Sequence, residues 1–167
     1  MITTNETIYS KDLENKKIIV VREFDAPVDL VWKAWTEEDL LDQWWAPKPW
    51  KAKTKSMDFR EGGTWLYAML GPDGESTWCR VYYNKIKPQE YFTAEDSFCD
   101  ELGNPTDELP KMQWNNEFIA DGDQTRVQVE IKFASIEDMD KIIEMGFREG
   151  FSAAHTNLDE LLQSQMQ

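Results

Sequence analysis

The hydrophobic pattern of this chain changes period twice. Between residues 28 and 45 apolar residues recur every three or four positions; from Trp50 to Phe133 they alternate with polar ones; from Ser135 the helical spacing returns. Ahead of the first helical stretch, the β-branched run at 17–24 predicts a strand. Pro27 then suits a first helical turn, with Val28, Val31, Trp32 and Trp35 on one face. A second short helix follows Thr36. Glu37, Glu38 and Asp39 stand at its positive end, and Leu40, Leu41, Trp44 and Trp45 form its apolar side.

Turn signals divide the alternating stretch into six strands, at 50–59, 64–70, 76–87, 91–98, 111–120 and 125–133. Gly71-Pro-Asp-Gly74 and Asp121-Gly-Asp123 read as hairpin turns, and the acidic segment 99–110 as an exposed loop. The last helix is expected from about 135 to 162, capped by Ser135 with Asp138 three residues on, and with Gly146 and Gly150 on its apolar face. The order β-α-α-β-β-β-β-β-β-α predicts an α+β fold over residues 17–162. A curved antiparallel sheet of seven strands needs its concave face covered, and only the C-terminal helix is long enough to do so. Residues 1–16 read as a polar, weakly ordered lead-in.

At 167 residues the chain fits one domain with a sizeable core. Its net charge of −14 disfavours nucleic acid and anionic membrane surfaces as partners. No apolar run is long enough to insert in a membrane, and the N-terminus does not read as a secretory signal, so a cytoplasmic location is expected. Cys79 and Cys99 make neither a disulfide framework nor a zinc pattern. With His155 the single histidine, no histidine triad or multi-histidine metal site can form, and no cofactor is expected. Five of the eight tryptophans fall between Trp32 and Trp50, where they fill a core or line a hollow.

The strings REFDAPVDLVWKAWTEEDLLDQWWAP at 22–47, MDFREGGTW at 57–65, GPDG at 71–74 and MGFREGFSAAHTNLDELL at 145–162 occur in one order along nearly the whole chain. With this layout the chain resembles the helix-grip (SRPBCC, START-like and Bet v 1-like) superfamily. Within it, the chain is most similar to the branch named for the C-terminal domain of the activator of Hsp90 ATPase. The resemblance implies a sheet wrapped around the long helix with an apolar cavity between them, and puts Trp44 and Trp45 at its mouth. It implies no reaction, because the fold carries many functions. No domain like the one preceding it in the eukaryotic chaperone activator stands ahead of residue 17, which argues against direct stimulation of Hsp90.

Alternation nominates the cavity walls. Trp114, Asn116 and Phe118 share a face; Asn116 either orients a ligand or is satisfied by a neighbour or a water. Trp65 and Tyr67 are taken as inward-facing. Trp78, Arg80 and Tyr82 share one face of their strand, opposite Cys79, Val81 and Tyr83. An inward Arg80 would suit an acidic headgroup; an outward one would pair with one of the many acids. Phe147 and Phe151 come from the C-terminal helix, where His155 is either a donor at the cavity end or a partly exposed helix residue. Asp58, Glu61, Glu95, Asp96 and Glu117 offer carboxylates for acid–base work, but their spacing singles out no pair.

The expected function is therefore binding of an apolar or aromatic small molecule, or a lipid-like one, between sheet and helix, with no defined reaction. Two alternatives stand beside it. A polyketide cyclase-like enzyme requires a titratable group facing the cavity. A chaperone co-factor-like interaction module requires a protein partner and a filled interior. The sequence does not fix an oligomeric state.

Overall fold

A computed structural model describes residues 5–166. In chain order the elements are β1 (Ile8–Asp12), β2 (Lys17–Phe24), α1 (Val28–Thr36), α2 (Glu38–Trp44), β3 (Lys51–Met57), β4 (Thr64–Leu70), β5 (Ser76–Lys87), β6 (Tyr91–Cys99), β7 (Met112–Asp121), β8 (Gln124–Lys132), α3 (Ile136–Glu144) and α4 (Phe147–Gln165). The strands form one antiparallel sheet in the order β1-β2-β8-β7-β6-β5-β4-β3. The predicted α+β, sheet-around-helix architecture is present. Among the described residues no helix is long and apolar enough to cross a membrane.

The sheet has eight strands, not the seven expected. The extra one, β1, lies in the segment read as a loose lead-in and pairs with β2 from Ile8↔Val21 to Asp12↔Lys17. Its sequence, IYSKD, is short and polar because it forms a sheet edge with Ile8 61% exposed. Tyr9 ties it to the far side of the fold: its hydroxyl donates to the Arg148 carbonyl at 2.8 Å and lies 2.9 Å from Ser152 Oγ. Residues 1–4 of the expected lead-in lie outside the described residues.

The expected single C-terminal helix is two. Ser135 caps α3 by accepting from the Asp138 N–H at 3.1 Å, as its spacing predicted. The helical path then breaks at Met145, and Gly146 opens α4 with φ of +93°. Glycine adopts that left-handed conformation at little cost, whereas a Cβ would be strained there. The Asp121-Gly-Asp123 hairpin is present, with Asp121 paired to Gln124 and Gly122 at φ +62°.

Inward positions along the strands build the core: Ile18, Val20 and Phe24 on β2, Val127, Val129 and Ile131 on β8, and Trp114 and Phe118 on β7. From α1, Trp32 and Trp35 pack edge-on against Phe118 at 5.0 and 5.7 Å. Trp44 is fully buried, and its Nε1 donates to the Ala34 carbonyl at 2.8 Å, so its one polar group has a partner. Across the concave face runs α4, burying Phe151, Ala154, Leu158 and Leu162. Removing each such large side chain from water stabilises the fold by about 1.5–3 kcal/mol.

Candidate functional site

Near the junction of α3 and α4, residues of β4–β7 and of both helices enclose a space. This space is a cavity of about 380 Å³ that opens to solvent. The sheet wall is built by register. Tyr67 of β4 sits opposite Cys79 of β5, Cys79 opposite Phe98 of β6, and Asp96 of β6 opposite Met112 of β7. Trp45, Pro47 and Trp50, which follow α2, close one side. Met145, Gly146, Phe147, Gly150 and Phe151 form the roof. A Cβ on Gly150 would stand 3.6 Å from Pro47 Cγ, an ordinary van der Waals contact.

Deeper in the fold lies a second void of about 30 Å³, room for roughly one water-sized group. It shares Trp45, Asp96 and Trp114 with the larger cavity and adds Asn116, Trp35 and Val81. Asn116 is 2% exposed and its Nδ2 lies 3.5 Å from the Phe92 carbonyl, leaving Oδ1 without a partner.

Asp96 is the chemically distinctive group of the site. It is 9% exposed, and its Oδ1 accepts no hydrogen bond. Burial pushes the carboxyl up to about 7, against the opposing pull of the Ser97 backbone. Its titratable neighbours are neutral at that pH. Burial, together with the Asp96 charge, raises both the Cys79 thiol and the Tyr67 phenol. Among the described residues of this wall, Asp96 alone can therefore change charge near neutrality. Among the described residues no group of three His, Cys, Asp or Glu side chains is placed to hold a metal ion.

The residues nominated from sequence divide into three sets, with His155 apart from them. Trp45, Tyr67, Trp114, Phe147 and Phe151 line the larger cavity; Trp65 and Asn116 line the deeper void. Trp44 and Phe118 lie in the packed core behind them. Trp78, Arg80 and Tyr82 occupy the opposite face of β5, because Cys79, Val81 and Tyr83 are its buried set. Tyr82 is 42% exposed, Trp78 packs under Lys55 Nζ at 5.7 Å, and Arg80 Nη1 reaches the Gly103 carbonyl at 3.5 Å. His155 is neither at the cavity wall nor partly exposed. It is 1% exposed behind Phe151, with Nδ1 2.8 Å from Thr7 Oγ1.

Sequence reasoning named Asp96 only as one acid among several. The available signal was phase: Phe92, Ala94 and Phe98 alternate on the inward face of β6, and Asp96 falls in step with them.

Comparison with known proteins agrees with this architecture. A protein from Arthrobacter aurescens, solved in solution by NMR, superposes with a TM-score of 0.88 at 33% identity, covering 94% of this chain and 91% of its own. A crystal structure of a Mycobacterium smegmatis protein gives 0.87 at 30% identity, over 94% and 96% of the two chains. A protein from Nitrosomonas europaea gives 0.80 at 26% identity, over 91% and 97%. No curated protein matches the chain. The family model described as "Activator of Hsp90 ATPase homolog 1-like protein" matches residues 25–163, and the chain belongs to that family.

Proposed function

We propose that this protein binds a small apolar or aromatic molecule in the cavity between the sheet and the α3–α4 junction. The observation that carries the reading is the cavity itself, about 380 Å³ in volume, open to solvent and walled by Trp45, Trp50, Tyr67, Trp114, Phe147 and Phe151. Its volume falls within the roughly 300–1,000 Å³ of small-molecule sites. Aromatic and aliphatic walls supply affinity, and the few polar groups set orientation. Native mass spectrometry of protein purified from its own host tests this. A non-covalent adduct of one small molecule per chain, lost on denaturation, supports the reading. A bare chain that also fails to take up any neutral apolar compound contradicts it.

One observation favours catalysis as a second reading. Asp96 lies in the cavity wall with a carboxyl brought to about 7, where an acid–base group is most effective. A polyketide cyclase-like reaction would use it to take up or return a proton on a bound substrate. Turnover of an aromatic or polyketide-like compound by the wild type, abolished in Asp96→Asn, would establish this reading; binding without turnover leaves the first.

A further inference from the structure

We infer that the ligand of this cavity carries a basic amine, held by Asp96 within the aromatic walls. The inference rests on the cavity being a binding site and names the class of molecule it takes. Three observations support it. First, among the described residues the lining contains one acidic residue, Asp96, and no Lys, Arg or His. A carboxylate or phosphate ligand would meet that acid with no compensating cation, in a chain of net charge −14. Second, Asp96 lines both the cavity and the deeper void, and its Oδ1 is buried without a hydrogen-bond partner. A buried acceptor in that state favours a ligand that donates. Third, the tryptophan, tyrosine and phenylalanine faces around the space attract a cation as well as an apolar body, which offsets part of the cost of removing an ammonium group from water.

Neighbouring groups leave Asp96 to decide the charge of the site. Tyr67 on β4, Cys79 and Tyr83 on β5 and Cys99 at the end of β6 all sense it, and burial raises all four, so they stay neutral from pH 6 to 8. From β7 the site receives Met112, Trp114 and Asn116, and from α3, α4 and the break between them Ile142, Met145, Phe147 and Phe151, none of which titrates. An ammonium ligand binds the ionised Asp96, so its affinity rises with pH through the neutral range, while that of an uncharged analogue does not.

The test is a competition series against the neutral fluorescent dye N-phenyl-1-naphthylamine, using 4-phenylbutylamine, 4-phenylbutan-1-ol and 4-phenylbutanoate. In the wild type at pH 8 the amine displaces the dye at roughly tenfold lower concentration than the alcohol, and the acid is weakest. At pH 6 the amine's advantage shrinks by roughly fivefold to tenfold as Asp96 takes up a proton. In Asp96→Asn the amine and the alcohol become equivalent. An alcohol that competes as well as the amine at pH 8 overturns the inference, as does an advantage that ignores pH or survives in the variant. The wild-type pH series stands alone should the variant fold poorly. Saturable dye binding without amine preference removes this inference only; no dye binding removes the cavity reading as well.

Discussion

Trp45 Nε1 donates to the Tyr67 hydroxyl at 2.8 Å. The bond joins the end of the second short helix to the sheet wall, between two residues that line the larger cavity. Both rings are otherwise held by aromatic contacts: Tyr67 stacks on Trp65 at 4.0 Å, and Trp45 meets Trp35, Trp65 and Trp114 between 5.6 and 5.9 Å. Tyr67→Phe keeps those contacts but leaves the indole N–H without its acceptor. The expected cost is about 1–3 kcal/mol, read as a lower urea midpoint with an unchanged slope. A variant as stable as the wild type would show that the bond latches nothing.

Asp96 is expected to lower stability at neutral pH. An unfolded aspartate ionises near 3.8, whereas the folded one ionises at about 7. Between those values the folded chain holds the extra proton, so stability is lost as pH rises through this window and stays lost above it. Asp96→Asn removes the effect. It should raise stability by on the order of 2–4 kcal/mol at pH 8 and by far less at pH 4, measured as urea unfolding at the two pH values. A gain that is the same at both would contradict the assignment.

His155 acts with the opposite sign. Burial, helped by the Arg22 charge, pushes its imidazole down to about 3 from an ordinary 6.5. The unfolded chain therefore takes up a proton that the folded chain refuses, and stability falls as pH drops from about 6.5 towards 3. In His155→Gln the slope of stability against pH near pH 5 should be smaller by one proton, about 1.4 kcal/mol per pH unit. An unchanged slope would mean that the histidine accepts a proton in place.

Much of this fold could be read from the chain, and its exceptions have physical causes. Period-two alternation located six strands, and a β-branched run a seventh, but alternation could not choose the inner face of β5, where Trp78 and Tyr82 compete with Cys79 and Tyr83. Pairing with β4, which sets Tyr67 opposite Cys79, makes that choice, and pairing is not a local property. Helical spacing continues through Met145 and Gly146, so the break between α3 and α4 left no trace except the glycine itself. His155 read as a donor at the cavity end or a partly exposed helix residue because Phe24 and Thr7, which bury it, lie more than 130 residues away in sequence. The aromatic walls were legible; the one acid among them was hidden by the other 31 of the 32 in the chain.

Arg22 and Asp159 join β2 to α4, and their environments differ: the arginine side chain is 3% exposed and the aspartate 37%. Asp159→Ala leaves a buried guanidinium without its counter-charge. The expected loss is about 2–3 kcal/mol, below that of a fully buried pair because solvent reaches the carboxylate side. Glu160→Ala breaks the pair with Lys48, whose side chains are 63% and 68% exposed, and should cost under about 1 kcal/mol. Equal losses in the two variants, compared by thermal melting, would contradict the distinction.

Titration with N-phenyl-1-naphthylamine tests the central claim most directly, because the dye is uncharged and fluoresces in an apolar site. The wild type is expected to bind one dye per chain saturably, with energy transfer from the surrounding tryptophans. Phe151→Trp, which adds bulk to the roof of the cavity, should weaken binding at least several-fold while the domain remains folded by circular dichroism. No saturable binding to the wild type, or equal binding by the folded variant, would contradict the claim that this cavity receives a ligand.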